Sequence, residues 1–239
     1  MAFKTKLKNR KELADRTTAF FFEKPAGFQF KAGQFIRMSL IDPSETDAQG
    51  ATRNFTLANA PYEDDLMIAT RLRDTAFKRV LAKTPQGTEV NMAGPFGAFV
   101  LHRDPARAAV FLTGGIGITP FRSILLQAIK EKLPHRFFLF YSNRRPEDAA
   151  FLQELQVVEK ENPNYQLIGT MTGMEKSKRT WQGETGHIDQ TMLTRHIDVG
   201  ANPIYYIAGP PGMVNALRGV LAGMEVAKED IRYEEFPGY

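Results

Sequence analysis

"VFLTGGIGITPFRSIL", residues 110–125, sets an apolar run against three glycines and then against a helix-period segment. A strand, a glycine turn and an amphipathic helix in that order open a parallel α/β unit, in which ligands gather beyond the carboxyl ends of the strands. Gly114, Gly115 and Gly117 let a backbone approach a phosphate, and Ile118, Thr119 and Pro120 lead into a helix whose first N–H groups can receive an anion. Thr119 is expected to cap that helix and Pro120 to sit in its first turn, where a missing N–H costs nothing. Pro120 stands where a dinucleotide fingerprint carries its last glycine. The segment alone therefore leaves two readings, a nucleotide site or a plain strand-to-helix turn.

Downstream the same rhythm repeats. "RFFLFYS" (136–142), "YQLIGTM" (165–171), "PIYYIAG" (203–209) and "DIRYEEF" (230–236) read as strands. "TPFRSILLQAIKEKL" (119–133), "PEDAAFLQELQVVEKE" (146–161), "DQTMLTRHI" (189–197) and "MVNALRGVLAGM" (213–224) read as helices. This alternation predicts a parallel, doubly wound sheet. Upstream, "TAFFFEK", "QFIRMSLI", "NFTLANA" and "LMIATRLR" are short strand candidates separated by "PAG", "KAG", "PYEDD" and "PQG", which predicts a small antiparallel barrel. The charged stretch Arg103 to Arg107, with Pro105, separates the two rhythms and divides the chain into residues 1–104 and 105–239.

Composition narrows the chemistry. With 239 residues, 43% of them hydrophobic, the chain can fill ordinary cores. It has no cysteine, which excludes disulfides, a thiolate nucleophile and cysteine-held zinc or iron–sulfur centres within these residues. His102, His135, His187 and His196 lack metal-ligand spacing, so no metal is expected. No Walker lysine and no nucleophile elbow are present. A net charge of +4, with the basic residues scattered among acids, argues against nucleic acid and is compatible with an acidic protein partner. The N-terminus has no apolar signal core and no run reaches the roughly 20 apolar residues of a membrane span, so a cytoplasmic protein without membrane contact is expected. Trp181 reads as a loop aromatic.

"GQF" (33–35), "RNFTLANAP" (53–61), "RDTAFKRVL" (73–81), "GPFGAF" (94–99) and "GGIGITP" (114–120) follow one another in the order found in the ferredoxin-NADP reductase-like flavoproteins. The chain resembles that family over essentially its full length. The resemblance implies a six-stranded antiparallel flavin barrel followed by a nucleotide-binding α/β domain. It also implies FAD and NADPH or NADH as cofactors, and a separate one-electron acceptor such as ferredoxin, flavodoxin, or another iron–sulfur or haem protein. "RNFT" is similar to the family's flavin motif, which would give Arg53 to a pyrophosphate, Asn54 and Phe55 to the cofactor, and the Thr56 hydroxyl to flavin N5. Arg71, Thr75, Ala76, Phe77 and Lys78 would complete the phosphate site around a helix start. Phe55 stands where tyrosine is commoner, and in this it also resembles the superfamily's flavin reductases, which use flavin as a substrate.

On the nicotinamide side, Ser142 and Arg144 follow the second strand, where an arginine would pair with the extra phosphate of NADPH and a carboxylate would repel it. Arg145 reads as solvent-exposed, with Pro146, Glu147 and Asp148 starting a helix. "AGPPGM" (208–213) resembles the family's Cys-Gly-Pro-x-x-Met turn and brings in Gly209, Pro210 and Met213, with Ala208 in place of the cysteine. The tail resembles the family's terminal Glu-x-aromatic segment. That would place Glu234 in a polar network near N5 and Phe236 or Tyr239 over the flavin ring. Two other readings stay open, a reductase of free flavin and a non-catalytic electron-transfer or scaffold subunit.

Overall fold

The computed structural model describes residues 1–198 and 202–237. Its first half holds β1 (Ala2–Ala14), β2 (Thr17–Glu23), β3 (Phe35–Leu40), β4 (Thr52–Thr56), β5 (Asp65–Arg71), helix α1 (Ala76–Lys83) and β6 (Glu89–Phe96). These strands pair antiparallel in the order β4-β3-β6-β1-β2-β5. Just past β4, the Ala58 N–H donates to the Met67 carbonyl at 2.8 Å and draws β4 and β5 together, curling the sheet towards closure. The curl encloses Leu7, Phe20, Phe22, Ile36, Met38, Leu66, Ile68, Val90 and Met92, with Phe77 and Leu81 of α1 packed among them. Full burial of each such side chain contributes roughly 1.5–3 kcal/mol.

The second half holds β7 (Ala109–Gly114), α2 (Thr119–Lys130), β8 (Phe137–Asn143), α3 (Leu152–Glu161), β9 (Tyr165–Met171), β10 (Glu184–Thr185), α4 (Gln190–His196), β11 (Ile204–Gly209), α5 (Pro211–Gly223) and β12 (Ile231–Glu235). The strands are parallel throughout, in the order β10-β9-β8-β7-β11-β12, so the order reverses between β7 and β11. Every residue of β7 and β11 is buried, as a strand covered on both faces requires. Phe121, Ile124 and Leu125 of α2 and Leu155 of α3 pack on one face against Phe111, Leu139 and Tyr206. Met192 and Leu193 of α4 and Val214, Leu217 and Leu221 of α5 cover the other, against Val110, Leu112 and Phe140. The expected fold class stands. Among the described residues no helix is long and apolar enough to cross a membrane.

Three local expectations fail. Thr119 is the first residue of α2 rather than its cap; its hydroxyl donates back to the Ile116 carbonyl at 3.1 Å, because a 3-10 turn at Gly115–Ile118 already leads into the helix. The helix expected over 146–161 breaks after a 3-10 turn at Pro146–Asp148. Phe151 turns left-handed there (φ 61°) and is buried in the core, and α3 starts after it. Arg145 is not a solvent arginine: it pairs with Asp148 at 2.8 Å and with Asp15 of the barrel at 2.9 Å.

The two sheets are braced by Arg122, only 6% exposed. Its guanidinium takes Glu154 at 2.6 and 2.7 Å, Glu63 at 2.9 and 3.1 Å, and the Ala58 carbonyl at 2.8 Å, and it lies over the Phe151 ring. Beside it, Ser123 donates to the Asn59 carbonyl at 2.7 Å. Removing one partner of a buried ion pair strands the rest, at about 3–5 kcal/mol. Both carboxylates are partly exposed here, so Arg122→Ala is expected to cost about 2–3 kcal/mol. The reading is a lower urea midpoint at unchanged m value; an unchanged midpoint would remove the bracing role.

Candidate nucleotide and flavin site

At the start of α1 the backbone offers unpaired N–H groups, and Thr75 caps the helix by accepting from the Lys78 N–H at 3.4 Å. Ala76 and Phe77 are buried and anchor the turn through packing. Phe77 lies under the Arg53 guanidinium at 5.0 Å and beside Phe55 at 5.8 Å. The Lys78 ammonium is largely removed from water and faces Arg73, Arg53 and Arg71; burial first and these cations second lower its pKa to about 8. No carboxylate pairs with Lys78 among the described residues. Arg71 stands 3.9 Å from Asp148 across the domain contact. Arg53 is committed elsewhere, to Asp47 at 2.8 and 3.1 Å. Arg73 and Asp47 thus belong to this site, and neither was singled out in the sequence.

Further along β4, Asn54 is exposed, while Thr56 is buried with a hydroxyl that has no partner among the described residues. Phe35 lies opposite Thr56 on one side and Phe96 on the other. Gly97 follows Phe96 with φ +96°, and a Cβ there would reach the Phe35 ring at 3.0 Å and the Glu234 carboxylate at 3.7 Å. Thr56 and Glu234 therefore flank one aromatic. Burial raises the Glu234 carboxyl to about 7, and no donor meets it among the described residues. The Phe236 N–H donates to the Gly209 carbonyl at 2.9 Å, which ties the tail to the end of β11. Tyr239 lies outside the described residues.

The glycine turn sits where the strand order reverses. Thr113 donates to the Ala208 carbonyl at 2.8 Å, and a Cβ on Gly117 would come within 2.3 Å of that same oxygen. Gly114 and Gly209 form a notch filled by the Met213 thioether, whose sulfur lies 2.6 Å and 3.4 Å from where their Cβ atoms would be. Pro210 precedes α5. Gly115, at φ +53°, begins the 3-10 turn. Ile118, Thr119 and Pro120 are buried, so they present backbone rather than side chains.

Ser142 lies opposite Gly114 in the adjacent strand, and Arg144 beyond it is exposed with no side-chain partner among the described residues. The Arg144 carbonyl accepts from the Gly173 N–H at 2.8 Å, which brings the loop after β9 alongside. That loop carries Lys176, Lys178 and Arg179 and is held by Glu147, which accepts from the Lys178 N–H and the Ser177 hydroxyl. The signal for these cations was "MEKSKR" (174–179), a charge run that reads as ordinary loop without the fold.

Two pH effects follow. An anion at α1 favours protonated Lys78, so FAD affinity of the flavin-free chain is expected to be flat below pH 8 and to weaken above it by at most about tenfold per unit. Lys78→Met should weaken binding and abolish that slope in a fluorescence titration. Glu234 has a folded-state pKa above its unfolded value, so the unfolded state releases its proton first and stability falls as pH rises from 4.5 through about 7. Glu234→Gln is expected to stabilise the flavin-free chain at pH 8 by about 1–2 kcal/mol, allowing for partial exposure, and to change little at pH 4.

Comparison with known proteins bears on the fold that carries these residues. Residues 111–219 match the model of the oxidoreductase NAD-binding domain. The chain is 28% identical over 210 residues to the glycine betaine monooxygenase reductase subunit of Chromohalobacter salexigens, covering 86% of this chain and 56% of that one. It is 27% identical over 221 residues to the propane 2-monooxygenase reductase component of Mycolicibacterium goodii, covering 89% and 60%. The chain thus spans little more than half the length of the curated relatives it matches. A ferredoxin NADP+ reductase from Neisseria gonorrhoeae, solved with FAD and NADP, superposes with a TM-score of 0.82 at 23% identity over 98% of both chains. Residues 111–219 thus match the oxidoreductase NAD-binding domain, and the chain has the fold of the ferredoxin NADP+ reductase it superposes on.

Proposed function

We propose that this chain binds FAD in its barrel and NADPH on its parallel sheet, takes hydride from the nicotinamide onto the flavin, and passes electrons to a separate acceptor protein. The observation that carries the reading is Lys78, a largely buried cation among arginines at a helix start with no carboxylate of its own. A flavin pyrophosphate supplies the missing charge. When bound, the flavin supplies a centre that accepts two electrons together and releases them one at a time. Residues 1–104 are the flavin part and 105–239 the nucleotide part on this reading.

The chain's own residues have definite tasks. Lys78, Arg71, Arg73 and the N–H groups of Ala76 and Phe77 hold phosphate charge. Asn54 and Phe55 line the flavin, and the Thr56 hydroxyl, free of protein partners, donates to a ring nitrogen. Glu234, near neutrality in pKa, holds or releases a proton on the opposite side of Phe35. Phe236 covers the ring until nicotinamide displaces it. Gly114, Gly115, Gly117 and Gly209 admit the second pyrophosphate, with Met213 moving aside from the notch. Ser142 and Arg144 take the adenosine end.

Several neighbours are reductase components of oxygenases, which supports a one-electron protein acceptor such as a ferredoxin, flavodoxin or haem protein, in the cytoplasm. Arg144, exposed and unpaired, supports NADPH over NADH. A second reading, reduction of free flavin, draws on Phe55 and on the engagement of Arg53 with Asp47.

The test is a visible spectrum of the purified chain followed by anaerobic NADPH or NADH. Flavin bands that bleach faster with NADPH are expected. Arg144→Ala should raise the KM for NADPH by about tenfold and leave NADH nearly unchanged. Faster bleaching with NADH would remove the Arg144 assignment alone. A chain that neither holds nor turns over flavin would overturn the function.

A further inference from the structure

The loop between β3 and β4, residues 41–51, is fastened by two carboxylates, one to α1 and one to β4. Glu45 receives Arg79 of α1 through both Nε and Nη2, at 2.9 and 2.5 Å. Asp47 receives Arg53 on both carboxylate oxygens, at 2.8 and 3.1 Å. The turn is shaped around that second pair. Asp47 accepts the Gln49 N–H at 2.9 Å on its side chain and the Gly50 N–H at 2.8 Å on its carbonyl. Gly50, at φ +69°, lets the chain double back. As a result the carbonyls of Gln49, Gly50 and Thr52 all face Arg53 Nη1, at 3.0, 2.8 and 2.8 Å.

A guanidinium has five N–H donors. In Arg53 the two on Nη1 face three carbonyls and Nη2 faces the Asp47 carboxylate, so both terminal nitrogens are engaged, and Nε has no partner among the described residues. Bidentate recognition of a phosphate needs two parallel donors, and a pair that includes Nη2 has to share that nitrogen with Asp47. The head group meanwhile stays over the Phe77 ring, 5.0 Å from its centre, and beside Lys78, so it need not travel to change partners.

We infer that Asp47 is a built-in competitor for Arg53, which the flavin phosphate must displace, and that this exchange sets how tightly the chain holds its flavin. The inference rests on the flavin reading above. Two anions of similar strength contend for one guanidinium, and the apparent affinity is reduced by the fraction of molecules in which Arg53 is already taken. For a partly exposed bidentate pair the reduction is about three- to tenfold. Lys78, Arg71 and Arg73 hold the phosphate whichever partner Arg53 has, so binding is weakened rather than lost.

The flavin-free full chain, titrated with FAD, FMN and riboflavin by fluorescence, tests this. Asp47→Asn is expected to tighten FAD and FMN by about three- to tenfold and to leave riboflavin, which has no phosphate, unchanged. Glu45→Gln loosens the same loop without touching Arg53 and should leave all three affinities alone. Asp47→Ser serves if the asparagine variant melts early. Unchanged or weaker FAD binding in Asp47→Asn, with wild-type chain binding normally, overturns the competition and leaves the flavin reading intact. Equal tightening of riboflavin, or an equal gain in Glu45→Gln, overturns it also, because the effect would then be loop loosening. Failure of wild type and variant alike to bind any flavin removes the flavin reading and this inference with it.

Discussion

No side chain can stand between the backbone at residue 117 and the Ala208 carbonyl, and the arrangement of the site depends on that contact. The same oxygen accepts from Thr113, so one carbonyl at the end of β11 fixes the glycine turn at the end of β7. The turn aims α2 away from the sheet edge and towards the barrel. There Arg122 and Ser123 meet residues 58–63, which directly follow β4. Thr56 closes β4. A short chain of contacts thus runs from the glycine turn at the end of β7 to the Thr56 end of β4. On the proposed reading, two cofactors held by different sheets exchange hydride only when held a few ångströms apart, and this chain of contacts fixes one sheet relative to the other.

Cations are treated in two ways. Arg122 is buried and surrounded by two carboxylates and a carbonyl, as a buried charge must be. Lys78 is largely buried too, yet its neighbours are arginines, and its lowered pKa records the cost. Nothing in the barrel core requires a lysine at that place, since Phe77 and Leu81 already fill it. An uncompensated charge kept in a fold at a cost is most simply a charge awaiting an outside counter-ion. Arg145 shows the contrast: it resembles Arg144 in sequence, but Asp148 and Asp15 neutralise it, whereas Arg144 has no side-chain partner among the described residues.

How far the sequence could be read follows from which residues face inward. β7 to β9 and β11 were legible because strands buried on both faces are continuous apolar runs. β1 was not, because Lys4, Lys6 and Lys8 alternate outward and only Thr5 and Leu7 between them are buried. β10 has two residues and no pattern at all. The break at Phe151 was hidden because "AAFLQEL" keeps helical period through it; the cause is tertiary, a ring drawn under Arg122. Within the site, motif residues were legible as types and their partners were not. Asp47 lies six residues from Arg53, a spacing that no helix or strand period marks.

The alanine at 208 shows which part of the family's turn the geometry uses. Its side chain is fully buried, and its contribution to the site is the carbonyl that Thr113 and the glycine turn share. A backbone group of this kind survives any change of side chain that fits the space. The sulfur near the notch comes instead from Met213, which fills the space between Gly114 and Gly209 on a flexible, unbranched stem. A branched residue there would fill the notch permanently; a methionine can leave by rotation about three bonds. An alanine at 208 and a methionine at 213 therefore make a turn that is rigid in its backbone and yielding at the notch between Gly114 and Gly209.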